Sequence, residues 1–325
     1  MLFSIVVGLI WGYAVYPVII MPSLILHHHD PSPFAEKIRL ACGIKGLEWS
    51  SVQVPMIMPK PDLTALTGGY RKAPVLQIEA DIYCDTLLIA RELEARFPDP
   101  ALFPRACSGL ALALGSWSDK SFFNPGAALS MGENEGIPQE ILDDRYEFFN
   151  FMDFGNIDAE MPHCYAQFQA HAQLLETELN DVATPFIMGD DPSWIDVLCY
   201  FPVWMAATNI PRATELLEPF PGIRAWCNRM ESIGHGRRTD IDAGEAHAQA
   251  REARPLPGDG VDQSPFHAFK SGDSVTVTPD DYGFDPVAGT LSTLTIERIT
   301  VVREADGMGE IAVHFPRTGY RVQFA

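Results

Sequence analysis

Between Ser23 and Phe97 the hydrophobic pattern switches repeatedly between a period of two and a period near four, and the order of the switches leaves few folds open. Leu24 to His29 is a short apolar run that reads as a strand. Pro33 to Gly43 reads as a helix, with Phe34, Ile38 and Ala41 on one face and Gly43 as its stop. Leu47 to Val54 is a second strand. A proline-rich loop from Pro55 to Pro61 and a weak helical turn then lead into Gly68-Gly69. Pro74 to Ile78 and Ile82 to Cys84 form two strands around a tight turn, and Thr86 to Phe97 is a helix ended by Pro98 and Pro100. The order is β-α-β, a link, then β-β-α. A parallel pair with a right-handed crossover followed by an antiparallel hairpin is a thioredoxin-like α/β layer.

Beyond this unit the strand signal stops. Helical stripes such as Phe168, Ala172, Leu175 and Leu179 replace it, which predicts an all-helical bundle over 105–240. In "DPSWIDVLCY", Ser193 and Asp196 have the spacing of a capping box at the start of an inward-facing helix. Gly234 to Pro265 is polar and reads as a linker, 241–264 at its centre, with one helix around Ala243 to Glu252. From 265 to 325 the period returns to two, in "DSVTVTP", "LSTLTIERITVVRE" and "EIAVHF". That segment is expected to be a small all-β module, SH3-like or barrel-like, that folds separately from the thioredoxin-like unit at 23–100.

The formal net charge is −20, so the surface repels phosphate backbones and nucleic-acid binding is disfavoured. An anionic ligand would need locally placed cations or helix N-termini. The six cysteines form no C-x-x-C pair and no cluster, which reads as reduced thiols in a cytoplasmic protein. Residues 1–22 form an apolar segment in which Met1 to Met21 carries no charge. A membrane anchor or cleaved signal is one reading of it. No Lys or Arg precedes the run and Pro17 interrupts it, which favours a start codon placed ahead of a working start at Met21.

"SPFAEKIRLA", "RKAPVL", "CDTLLIARELEARFP", "DPSWIDVLCY" and "FPGIRAWCNRM", in that order from Ser23 to about Thr239, resemble the glutathione S-transferase family. The resemblance implies a thioredoxin-like domain followed by a helical domain, glutathione as co-substrate, a small hydrophobic electrophile as second substrate, a role in detoxification, and a homodimer. It implies that Pro74 is a cis-proline exposing the backbone of Ala73 to an extended tripeptide. It implies that Asp85 and Thr86 bind the γ-glutamyl end, and that Lys72 contacts the glycine carboxylate. Asp85 stands where a longer acid or an amide is usual.

The same resemblance implies that the stretch "HHHDPSPFAEKIRL" holds the thiol-activating position. Ser32-Pro33 is an N-cap followed by proline at the first helical position, a strong helix start by itself. The resemblance makes Ser32 the hydroxyl that hydrogen-bonds the glutathione sulfur, and a helix N-terminus also favours thiolate. His27, His28 and His29 look like metal ligands, but consecutive strand residues point to alternate faces, so no metal is expected. A histidine beside the pocket could instead tune the thiol or bind an electrophile. Trp117, Phe122, Phe123, Tyr146 and Phe149 are candidates for the electrophile's walls. The alternative to a transferase is a non-catalytic module of the same fold used for protein interaction, with the β module as its binding end.

Overall fold

The computed structural model describes residues 23–149 and 154–325; the apolar segment over 1–22, with its anchor and start-codon readings, lies outside them. Strand β1 (Leu24–His28), helix α1 (Pro33–Ile44), β2 (Glu48–Gln53), α2 (Pro61–Thr67), β3 (Val75–Ile78), β4 (Asp81–Cys84) and α3 (Thr86–Arg96) follow the expected order. β1 runs parallel to β2 and antiparallel to β3, and β3 pairs antiparallel with β4. Ser32 starts α1 by accepting a hydrogen bond from the Ala35 amide, with Pro33 in the first turn. Gly43 does not stop this helix. A Cβ there would land on the carbonyl of Gly234, so the glycine admits a close backbone approach instead.

The helical part comprises α4 (Ser108–Ser116), a π-helical turn (Trp117–Phe122), α5 (Phe123–Glu133), α6 (Gln139–Phe148), α7 (Ile157–Asp181), α8 (Trp194–Asn209), α9 (Ala213–Leu217) and α10 (Pro221–Ile233). α8 is apolar almost all round and buried along most of its length, as a central bundle helix must be. The expected capping box is present, and Asp196 does more than cap. Its Oδ2 accepts from the Ser193 amide at 3.0 Å and hydroxyl at 2.8 Å, and its Oδ1 from the Ile187 amide at 2.9 Å and the Trp226 indole at 3.2 Å. Among the described residues, no helix is long and apolar enough to cross a membrane.

The last third departs from expectation. The polar stretch after α10 is tied down. β5 (Arg237–Asp240) pairs with β2, and α11 (Ala243–Glu252) buries Ala246 and Ala250. After the short β6 (Gly260–Val261) come β7 (Ser274–Pro279), β8 (Val287–Leu294), β9 (Arg298–Ala305), β10 (Gly309–Pro316) and β11 (Tyr320–Phe324). They form an antiparallel sheet in the order β11-β7-β8-β9-β10. Its free edge does not close back on β11 as a barrel would. β10 lies parallel to β4, Val313 opposite Ile82, and continues the thioredoxin-like sheet. Val75 and Ile82 share one apolar core with Val275, Val301, Val313 and Phe315. The module expected to stand apart therefore shares a sheet and a core with the thioredoxin-like layer: the alternating pattern marks the strands, and the strand edge of β4 offers them a partner that local periodicity does not show.

Candidate functional site

Ser32, Lys72, Ala73, Pro74, Asp85 and Thr86 all line a single cavity of about 1060 Å³ between the thioredoxin-like layer, the helices and the β module. Ser32 is 4% exposed. Its Oγ accepts from the Ala35 amide at 3.2 Å. A hydroxyl carries one donor besides its acceptor lone pairs, so the cap leaves the Ser32 O–H available to a ligand. The Ala73–Pro74 peptide is cis, and Ala73 stands just outside β3. Asp85 is the N-cap of α3, with a φ of 80° in the left-handed region. Its Oδ1 accepts from the Leu87 amide at 2.9 Å. Burial raises its pKa, opposed by that amide and by the charge of Lys72.

Pattern reading of the helix face missed one residue here. Lys37 follows Phe34 by three positions on the inward face of α1, and its side chain is fully buried. Its Nζ donates to Asp119 Oδ1 at 2.6 Å and to Thr86 Oγ1 at 3.3 Å, and it sits over the rings of Phe34 and Phe201. Alternation separates His28 from His27, and His29 lies just past the end of β1. His27 Nε2 pairs with Gln77 at 2.9 Å, His28 Nε2 with Ser51 at 3.0 Å, and His29 lines the cavity. Burial holds His27 down to about 4. Burial, helped by neighbouring cations, holds His28 and His29 down to about 3.

Local cations do gather at the cavity of this acidic chain. Arg71 and Arg145 share Asp144, at 2.6 and 2.9 Å. Lys60 donates to the Arg71 carbonyl at 3.0 Å, and burial together with the two arginines lowers it to about 8. The aromatic wall differs from expectation. Phe123 and Phe149 line the cavity as expected, joined by Phe34, Phe148 and Tyr282. Phe122 is core, packed on Phe168, and Trp117 donates its indole N–H to His171. Tyr146 is exposed.

The least anticipated contributors come from the β module. Asp281 Oδ1 accepts from Lys72 Nζ at 2.6 Å, and the same ammonium lies 4.0 Å from the Tyr282 ring centre. Tyr320 donates to Asp85 Oδ2 at 3.3 Å and shares a 3.0 Å hydrogen bond with the Tyr70 hydroxyl.

The family model "Glutathione S-transferase, N-terminal domain" matches residues 26–101, and "Glutathione S-transferase, C-terminal domain" matches residues 158–229. A GST-like protein from Pseudomonas syringae, of known crystal structure, is 35% identical. It superposes with a TM-score of 0.76 over 94% of this chain and 100% of its own. The chain belongs to the glutathione S-transferase family. Glutathione is the co-substrate of that family. Coverage of 94% takes in the β module, so the Pseudomonas protein shares it. A glutathione S-transferase from Rhodospirillum rubrum is 20% identical with a TM-score of 0.50, over 64% of this chain and 88% of its own, a likeness of fold alone. A curated relative, a probable glutathione S-transferase from Solanum tuberosum, is 25% identical over 126 residues. That match spans 36% of this chain and 58% of the relative, less than two thirds of its length.

Proposed function

We propose that this chain is a glutathione transferase that directs the glutathione thiolate onto a small hydrophobic electrophile, with Ser32 activating the sulfur. The reading rests above all on one cavity bringing together Ser32 at a helix N-terminus, the Ala73-Pro74 backbone, the Asp85-Thr86 cap and an aromatic wall. Ala73 pairs with the cysteinyl backbone as an added strand would. Asp85 takes the γ-glutamyl ammonium, and Thr86 with the first amides of α3 takes its carboxylate. An ammonium has three donors, so Lys72 keeps N–H groups beyond Asp281 for the glycine carboxylate. Phe34, Phe123, Phe148 and Phe149 offer the apolar surface on which the electrophile lies. The reading carries with it a cytoplasmic, detoxifying enzyme that forms a homodimer. The alternative, a non-catalytic interaction module, is less well supported, because the β module turns Asp281, Tyr282 and Tyr320 into this same cavity.

Ser32→Ala tests the reading. A free cysteine thiol ionises near pH 8.5, roughly a few per cent at neutral pH. A hydrogen bond to a charged acceptor contributes about 1.5–3 kcal/mol, or about one to two pKa units. Turnover should therefore fall roughly ten- to a hundredfold in folded protein, while glutathione affinity by calorimetry changes little. Unchanged turnover would reduce Ser32 to a helix cap. Turnover absent from the wild type with glutathione still bound would favour the interaction module.

A further inference from the structure

Asp85 is half-buried in the cavity wall, and among the described residues no Lys, Arg or His stands within ion-pair distance of it. Two hydrogen bonds hold it, one to each oxygen. The Leu87 amide is local, but the other donor, Tyr320, comes from the far end of the chain. Tyr320 is 5% exposed, packs against Phe315 and Tyr70, and is hydrogen-bonded to the Tyr70 hydroxyl. Burial pushes the Tyr320 and Tyr70 hydroxyls well above their ordinary range, so both stay protonated. An ionised carboxylate only accepts, which makes Tyr320 the donor. Lys72 acts on Asp85 through space, but its ammonium is drawn to Asp281 at 2.6 Å and to the face of Tyr282. The β module thus aims the Asp85 carboxylate and also keeps Lys72, the cation with the larger effect on it, paired elsewhere, while Lys37 is held by Asp119 and Thr86. What remains is an oriented carboxylate with unused lone pairs and no direct counter-ion, facing a cavity.

We infer that Tyr320 and Asp281 are positioning residues that tune Asp85 for a ligand ammonium, so that the β module sets the selectivity for a thiol peptide with a free α-amino group. This rests on the glutathione reading above. The test is calorimetric binding of glutathione and of glutaryl-Cys-Gly, the same peptide without its amine, to the full chain and to Tyr320→Phe and Asp281→Asn. The wild type should prefer glutathione at least tenfold. Tyr320→Phe should cut that preference about fivefold by loosening Asp85. Asp281→Asn should cut it comparably by releasing Lys72 towards Asp85. General damage to the fold weakens both peptides alike and leaves the ratio unmoved. If one variant does not fold, the other carries the test. A ratio unchanged in the folded variants, or equal binding of both peptides by the wild type, overturns the inference and spares the glutathione reading. Binding of neither peptide by the wild type overturns both.

Discussion

His27, His28 and His29 are adjacent in sequence, yet each ring is held neutral in a different surrounding: against Gln77, against Ser51, and at the cavity wall. Folded, they protonate only near pH 4, 3 and 3. Unfolded, they protonate below about pH 6.5. Between those limits the unfolded chain binds more protons, so stability falls as the pH drops. Acidification from about pH 7 to about pH 5 should cost roughly 1–2 kcal/mol for each ring. Denaturant unfolding at several pH values measures this, and His28→Gln should lower the slope by about one proton. A slope that ignores the substitution would mean the ring is already charged in the fold. The same residue scale separates what was legible from what was not. Ser32, Asp85 and Pro74 are legible as two caps and a proline before a strand because such signals are written within a few neighbouring residues; the site role proposed for them and for Thr86 comes from the family resemblance. Lys37 could be found only by noticing a charge on the face that carries Phe34. Asp281 and Tyr320 meet Lys72 and Asp85 across 209 and 235 residues, and no local pattern records such a meeting.

α1 shows how one element serves several ends. Its N-terminus offers Ser32, its buried face carries Lys37 to Thr86 and Asp119, and its last turn meets the end of α10 at Gly43. Gly43 followed an apolar face and so resembled a stop signal. The helix runs to Ile44, and the glycine instead leaves room for Gly234. Gly43→Ala gains helix propensity of about 1 kcal/mol but forces two backbones apart. Overpacking of this kind costs about 1–3 kcal/mol or more, so the variant should be net destabilised, read as a lower denaturant midpoint. A midpoint that rises would mean the α1–α10 contact gives way freely. On α8, Asp196→Ala should cost more, about 3 kcal/mol or above, because it orphans the Ile187, Ser193 and Trp226 donors together.

At the scale of the whole molecule, the sheet crosses from the thioredoxin-like layer into the β module without a break at β4 and β10. Native-state hydrogen exchange should find the amides of β4 and β10 opening with the same free energy. A lower, separate opening energy for β7 to β11 would mean the module folds independently. The fold class was legible because hydrophobic period tracks secondary structure. The join was not, because an alternating strand looks the same whether its edge is free or paired. This join also orders events in time. During synthesis the edge of β4 emerges about 230 residues before its partner on β10. At roughly 5–20 residues per second, that edge waits on the order of 10 to 50 s with open hydrogen-bonding groups. A ribosome stalled or terminated in that interval releases a chain with its edge bare, a template for another strand. Nonsense variants that end the chain between the end of α11 and β10 should therefore aggregate rather than accumulate as a smaller folded protein.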